Sequence, residues 1–326
     1  MKVAVIGGGL SGLALCWHLL QFPGCQVTVF EKKRIGAGAS GVSTGLLHPY
    51  AGEQARRSWR AKEGIQATLA LLNVAEDALG QKIILSNGII RILEDEAHRE
   101  QFTHHFSSYQ DVEKWGEKQF FVSSGMTIDV PKYLQGLWSA CSVKGAQLVI
   151  QEIASLKDLE DFDAVAIAAG AGSPAFEEVT LKVDLIKGQV LTYQLPFDVP
   201  CSHSLVAKGY ISLSPLSNVF YLGSTYERDF HTEAPCQEKA LLELAPKLNF
   251  FFPQIKEYSL LECRSGVRVA RRGHYYPLVR RLNKKCWMMT GLGSRGLLYH
   301  AYIAENLAQA ICTDDETLLY KELIIR

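Results

Sequence analysis

Apolar and polar residues follow one another in blocks along the chain, and the period of the blocks changes. Residues 3–30 carry no charged side chain: Val3–Ile6 is apolar, Gly7-Gly8-Gly9 interrupts it, a helix-length apolar segment follows, and Pro23-Gly24 precedes the run Val27–Phe30, which Glu31 closes. That order predicts strand, glycine turn, helix and second strand. The stretch is long enough for a membrane span, but its glycines and Pro23-Gly24 divide it into shorter elements. Residues 57–80 follow a helical period with Trp59, Leu69, Leu72 and Leu79 available for burial. Residues 83–93 predict two short strands about an Asn87-Gly88 hairpin turn, followed by a polar, mostly helical stretch to about 116. Asp129-Val-Pro131 predicts a helix start, with Leu134, Leu137 and Cys141 on one face.

Ala164–Ala168 predicts a buried strand that runs into Ala169-Gly170-Ala-Gly172-Ser173. From 185 to 230 the alternation shortens to a period of two, in Gly188–Tyr193, Gly209–Leu213 and Val219–Gly223, which predicts antiparallel strands in a separate layer. Helix returns near 236–249. The run Trp287–Gly296 leads into a last helix through Ile303, Leu307 and Ile311. The expected fold is α/β: a discontinuous, Rossmann-like nucleotide-binding domain made of 1–80, 128–185 and 262–326. An antiparallel-sheet substrate domain of 81–127 and 186–261 is inserted in it.

Composition narrows the class. The 326 residues are 48% hydrophobic and 21% charged, ordinary values for a globular enzyme-sized chain with room for two domains. The 34 basic and 34 acidic residues cancel, so no global field draws the chain to nucleic acid. The charge is unevenly placed, however. Arg264 to Ala304 contains no acidic residue but nine basic ones (Arg264, Arg268, Arg271, Arg272, Arg280, Arg281, Lys284, Lys285 and Arg295), interleaved with Tyr275, Tyr276 and Trp287. Such a segment suits a phosphate backbone with stackable bases if it surrounds one mouth, and means little if its arginines face different ways. The eight cysteines are scattered without CxxC, and neither they nor the histidines have metal spacing. Only Met1 and Lys2 precede the first strand, so no signal peptide is expected, and the cysteine usage points to a reducing cytoplasm.

The glycine run has a mechanical reading. Gly7 makes the tight turn, Gly9 lets a pyrophosphate approach the backbone, and Gly12 lets the helix lie close on the sheet. The helix N-terminus then presents unpaired N–H groups to the phosphates, and Glu31 falls where a carboxylate takes ribose hydroxyls. Gly36–Gly45 (GAGASGVSTG) is too rich in small residues for a core and suits backbone threaded past a flat or phosphorylated ligand.

Taken together, these motifs resemble the D-amino-acid oxidase/glycine oxidase family of FAD enzymes over essentially the whole chain. Three segments are most similar to the FAD-dependent half of the bifunctional, MnmC-type enzymes that modify tRNA wobble uridine. They are Gly38-Ala-Ser-Gly41 with Leu-Leu-His-Pro49, Cys263-Arg-Ser-Gly-Val-Arg268, and Gly291-Leu-Gly-Ser-Arg-Gly-Leu297. The resemblance implies FAD held by Gly7, Gly9, Leu10, Ser11, Gly12, Glu31 and Lys32. Ser40, Thr44, Gly45 and Leu46 would line pyrophosphate and flavin, and Ala169 and Gly170 the adenosine side. Gly293, Ser294, Gly296 and Leu297 would lie at the flavin ring, beside a helix N-terminus able to stabilise negative charge. It also implies Arg268 as a bidentate clamp on a substrate carboxylate, Tyr210 as a substrate-facing tyrosine, and Arg295 facing flavin or substrate.

The implied chemistry is oxidation of a carbon–nitrogen bond by hydride transfer to flavin N5, followed by imine hydrolysis. On the tRNA likeness the substrate is the carboxymethylaminomethyl group of a wobble uridine. A methyltransferase domain does not fit in 326 residues, so methylation of the product would fall to a separate methyltransferase. Two further readings stay open: an oxidase or dehydrogenase of free glycine, a D-amino acid or an N-methyl glycine, and a flavin-binding interaction protein without catalysis.

Overall fold

The computed structural model describes residues 1–52, 55–106, 108–180, 183–195, 202–248 and 258–324. The strands are β1 Lys2–Ile6, β2 Gln26–Glu31, β3 Leu46–Leu47, β4 Ile84–Ile92, β5 Val112–Lys114, β6 Gln119–Ile128, β7 Gln147–Ile150 and β8 Ala164–Ile167. They continue with β9 Val183–Gln194, β10 Ser204–Val206, β11 Tyr210–Leu213, β12 Val219–Gly223, β13 Ser259–Arg271, β14 Leu278–Arg281 and β15 Cys286–Thr290. The helices are α1 Leu10–Leu19, α2 Ala39–Val42, α3 Ala61–Leu79, α4 Glu96–Phe106, α5 Val130–Val143, α6 Gln237–Leu248 and α7 Gly296–Thr313.

Among the described residues these strands form two sheets, making a mixed α/β fold. The six-stranded sheet runs β14-β15-β8-β1-β2-β7. Its members are parallel except for β14, which returns antiparallel on β15. β1 and β8 read as continuous apolar runs because both faces are covered. One face packs on α1, α3, α5 and α7 through a core that includes Leu13, Leu72, Leu137 and Leu307, and the other packs on Ile153, Leu159 and Phe176. The Asp129 carboxylate caps α5 by accepting the Lys132 N–H at 3.2 Å, with Pro131 in the first turn as the sequence predicts.

The second sheet runs β13-β9-β12-β11-β10-β4-β6-β3, with β5 on β6. Two features differ from the sequence reading. Residues 84–92 are one strand instead of a hairpin: register shifts fall beside Asn87, and Gly88 (φ +81°) has the Phe121 ring where a Cβ would be. Asn-Gly here makes a bulge that admits an aromatic ring, not a chain reversal. Ser259–Arg271, grouped from the sequence with the nucleotide-binding half from residue 262 onward, pairs along its length with β9 in the second sheet. Its three arginines, Arg264, Arg268 and Arg271, hid the strand, because an edge strand with one face toward a site need not alternate apolar and polar residues.

In the β9–β12 layer the face carrying Leu191, Tyr193, Ile211 and Leu222 packs on α6 through Ala240 and Leu244. The opposite face carries Ile186, Gly188 and Val190 of β9, Gly223 of β12, Tyr210 of β11, and Arg264, Gly266 and Arg268 of β13, as the antiparallel registers require. Among the described residues no helix is long and apolar enough to cross a membrane.

Candidate cofactor and substrate site

The carboxyl edge of the six-stranded sheet gathers the glycines. Gly7 leaves β1 with φ +114° and donates its N–H to Phe30 O at 2.8 Å, which fixes the turn against β2. A Cβ on Gly12 would lie 1.8 Å from Gly7 O, so only glycine lets α1 start this close to the strand. A Cβ on Gly9 would lie 2.8 Å from Ser40 Oγ, and the same Oγ accepts the Leu10 N–H at 3.1 Å. Ser40 thus meets the N-terminus of α1, with Ser11 beside it in the first turn. Glu31 ends β2 with Oε2 accepting the Gly8 N–H at 2.8 Å and Oε1 accepting the Lys33 N–H at 3.0 Å. The ammonium of Lys32 points elsewhere, into an exposed pair with Glu152 at 2.5 Å, so only its backbone lies beside Glu31.

Chain segments distant in sequence close on this edge. Ala169 and Gly170 follow β8, with Gly170 at φ +54° facing open space. Thr44 is buried, and its carbonyl accepts the Ser212 hydroxyl at 2.6 Å from the second sheet. Gly45, at φ +80°, backs onto Ile128, and Leu46 pairs with Thr127. Gly293 and Ser294 form a single helical turn that passes directly into α7 at Gly296 and the buried Leu297. Leu10 Cδ1 is 3.7 Å from the position a Cβ on Gly296 would take, which joins the last glycine turn to the first helix.

The second sheet supplies the charge. The Arg268 guanidinium extends from β13 across Gly188 of β9, where any Cβ would collide with Nη2. Nη2 donates to Ser224 Oγ at 3.0 Å and to Thr225 O at 3.2 Å. Both acceptors are neutral, and among the described residues no carboxylate pairs with Arg268. Tyr210 stands on the same face, its hydroxyl against Gly223 and its ring against the cluster of Tyr50 and Val206. Gly266 sits under α2, 3.0 Å separating its Cβ position from Ala39 Cα, so the helix that carries Ser40 rests on the strand that carries Arg268.

Arg295 reaches the same region from the turn before α7. Its Nε donates to Ser58 Oγ at 3.3 Å and its Cζ lies 4.6 Å from the Tyr275 ring centre. Burial lowers its affinity for a proton below the ordinary guanidinium value, an effect that Tyr299, Tyr275 and Tyr226 oppose electrostatically. Burial, with Arg91 and Arg295 nearby, pushes His48 down to about 3, and its Nδ1 has no hydrogen-bond partner. His48 is therefore a neutral imidazole at physiological pH.

The basic segment does not surround one mouth. Arg280, Arg281, Lys284 and Lys285 belong to the β14–β15 hairpin, where Val165 N–H donates to Lys285 O and Arg281 pairs with Trp287. This is the opposite edge of the six-stranded sheet from Gly7, roughly 15 Å away for strands of this length. Tyr275, Arg272 and Arg295 instead lie at the carboxyl edge with Arg268. The sequence reading passed over Ser224, Tyr226 and Gly188. Of these only Gly188 left a trace, as a glycine inside a predicted strand.

The residues fit a dinucleotide. The close approach at Gly9 and Ser40, the N-terminus of α1, the Glu31 carboxylate and the open space beyond Gly170 line up along one edge, as a pyrophosphate flanked by ribose and a flat ring system requires.

Comparison with known proteins agrees. A family model described as FAD dependent oxidoreductase (DAO) matches residues 2–310. The chain is 24% identical over 320 residues to the tRNA 5-methylaminomethyl-2-thiouridine biosynthesis bifunctional protein MnmC of Maricaulis maris, covering 95% of this chain and 52% of that protein. It thus spans about half the length of that relative. Among solved structures, glycine oxidase from Geobacillus kaustophilus superimposes with a TM-score of 0.83 at 18% identity, covering 100% of this chain and 98% of that one. Iminodiacetate oxidase from Chelativorans sp. BNC1 gives 0.82 at 18%, covering 99% and 98%. L-Proline dehydrogenase from P. horikoshii gives 0.79 at 15%, covering 97% and 94%. These structural likenesses establish the fold.

Proposed function

The chain belongs to the DAO family of FAD-dependent oxidoreductases, and from that premise we propose that it oxidises the C–N bond of a glycine-like group, the carboxymethylaminomethyl substituent of a tRNA wobble uridine. The observation that carries the reading is Arg268: a guanidinium laid across Gly188, aimed along the site face, with only the neutral Ser224 and Thr225 as partners. A half-buried arginine with no carboxylate beside it among the described residues is built to receive one, and a carboxylate matches its planar fork. The MnmC relative, named for the biosynthesis of 5-methylaminomethyl-2-thiouridine in tRNA, supports the choice of an aminomethyl group borne on uridine.

Gly7, Gly9, Leu10, Ser11, Gly12 and Glu31 would hold the adenosine diphosphate half of FAD, with the backbone beside Lys32, and Ala169 and Gly170 at its flank. Ser40, Thr44, Gly45, Leu46, Gly293, Ser294, Gly296 and Leu297 would hold the remainder. When bound, FAD supplies the two-electron acceptor that side chains lack. The chain's own residues position the substrate. Arg268 fixes the carboxylate, so that the adjacent methylene and amine take one orientation. Tyr210 walls the site, and its hydroxyl is within the reach of a hydrogen-bonding substrate group. The N-terminus of α7 offers unpaired N–H groups where negative charge develops. His48, neutral and unpartnered through Nδ1, adds no charge to compete with Arg268 and Arg295.

Removal of two electrons and two protons from the N–CH2 unit leaves an imine, and water cleaves it to the aminomethyl uridine and glyoxylate. The test is anaerobic titration of the purified yellow protein with tRNA carrying the carboxymethylaminomethyl group, and in parallel with glycine or D-alanine. Loss of the visible flavin band with tRNA alone is expected. Loss with the free amino acids and not with tRNA would make the chain a small-molecule oxidase.

A further inference from the structure

We propose that Tyr226 and Tyr275 form the walls of a stacking cleft, with Arg295 at its base, that receives an unpaired base of a single-stranded RNA loop. The proposal deepens the wobble-uridine reading and rests on it. Tyr275 is 77% exposed and stacks on the half-buried Arg295 guanidinium at 4.6 Å, and Tyr226 is 53% exposed on the same side, tied toward it through Arg228, Asp184 and Arg272. Scattered exposed rings need no explanation. Two exposed rings on one side of the site, one of them stacked on a half-buried arginine with no carboxylate partner among the described residues, are a different arrangement, because a partly desolvated cation without an anion is favourably placed to receive one.

The surroundings select nucleic acid. Arg228 lies 5.5 Å over the Tyr226 ring, and Arg228 and Arg272 share a single carboxylate, Asp184, at 2.6 and 2.8 Å. Two exposed guanidiniums against one acid leave a net positive rim outside the aromatic walls, which is where the phosphates flanking a stacked base would run. The cleft also leads inward. Tyr226 is two residues from Ser224, the hydroxyl held by Arg268 Nη2, so a base held between the tyrosines would carry its substituent toward the carboxylate anchor. Tyrosine faces stack on any base, so the rim would recognise an unpaired loop while Arg268 recognises the modification.

The test measures RNA binding and flavin chemistry separately, on the FAD-loaded protein. A fluorescently labelled anticodon stem-loop bearing the modified uridine is titrated against wild type, Tyr226→Ala, Tyr275→Ala and the corresponding phenylalanine variants, each checked for flavin content and circular dichroism. Each alanine variant should bind the stem-loop about 5- to 150-fold more weakly, the span expected for one lost base–aromatic stack. The phenylalanine variants should bind like wild type, and KM for tRNA should rise in step with the lost affinity. Charge reversal at the distant hairpin, Arg280→Glu with Lys284→Glu, should change affinity by no more than about twofold, as for surface charges far from a contact. Unchanged binding by the alanine variants, with tRNA still bleaching the flavin, would overturn the cleft and leave the proposed reaction standing. Binding that weakens as expected while tRNA leaves the flavin unreduced would support the cleft and overturn the reaction. A wild type that neither binds the stem-loop nor is reduced by tRNA would overturn both.

Discussion

The two edges of the six-stranded sheet each hold an arginine over an aromatic ring, and the similarity ends there. At the amino edge Arg281 lies 4.8 Å over Trp287, and its donors go to Asn283 O, Lys284 O and the Asp314 carboxylate. At the carboxyl edge Arg295 lies 4.6 Å over Tyr275 and, among the described residues, makes one hydrogen bond, to a serine hydroxyl. The first arginine closes a hairpin and ties it to the end of α7. The second is held in place with most of its donors unused. A composition scan counts both alike, and the fate of each N–H separates them: a cation that serves a ligand keeps donors in reserve, whereas a structural one spends them inside the protein.

The largest effect that would test the contrast lies in the backbone of the carboxyl edge. Gly12→Ala places a methyl carbon 1.8 Å from Gly7 O, a backbone atom that cannot rotate away. The variant is expected to purify without flavin or not to fold, read from the ratio of visible to ultraviolet absorbance. A Gly12→Ala protein with a wild-type ratio would show that the cradle is looser than its geometry. Next comes Arg268→Leu. It removes the guanidinium lying across Gly188, at an expected cost of about 2–5 kcal/mol in binding a carboxylate, a rise in KM of roughly 30-fold or more. Flavin content should be unaffected, because no carboxylate or backbone turn of the cradle depends on Arg268. An unchanged KM would remove Arg268 from the site and return it to the class of Arg281.

How far the sequence anticipates these results depends on the range of the interaction. The glycine cradle is legible because Gly7, Gly9, Gly12 and Glu31 lie in one strand–helix–strand unit, where local sterics dictate residue type. The mid-chain Ala169-Gly170 and the Gly293–Gly296 turn are legible for the same reason. The rest depends on register between distant strands. That Gly188 clears room for Arg268 follows only once β9 is paired with β13 and Ser224 is known to follow β12. The Asn87-Gly88 signal was misread because a glycine required by the Phe121 ring is indistinguishable, in sequence, from a glycine required by a turn. Likewise the acid-free run from Arg264 to Ala304 is contiguous only along the chain. In space Asp184, Asp314 and the carbonyls of Glu160, Phe162 and Glu322 come from elsewhere and take up its outlying members.

The smallest expected effect on activity sharpens the comparison most. Arg281→Ala deletes hydrogen bonds to two carbonyls and the pair with Asp314, and exposes the Trp287 ring it covers. Asp314 is largely exposed, so that pair contributes little. The carbonyls of the tight hairpin lose a charged donor, and the expected destabilisation is about 1–3 kcal/mol. Thermal unfolding should report it as a lower midpoint, while KM and the extent of flavin reduction stay at wild-type values. A Tm loss without a KM change is the signature of an arginine whose donors are spent internally. If Arg281→Ala instead weakened tRNA binding while leaving Tm unchanged, the amino edge would be a contact surface, and unused donors would no longer distinguish the two arginines.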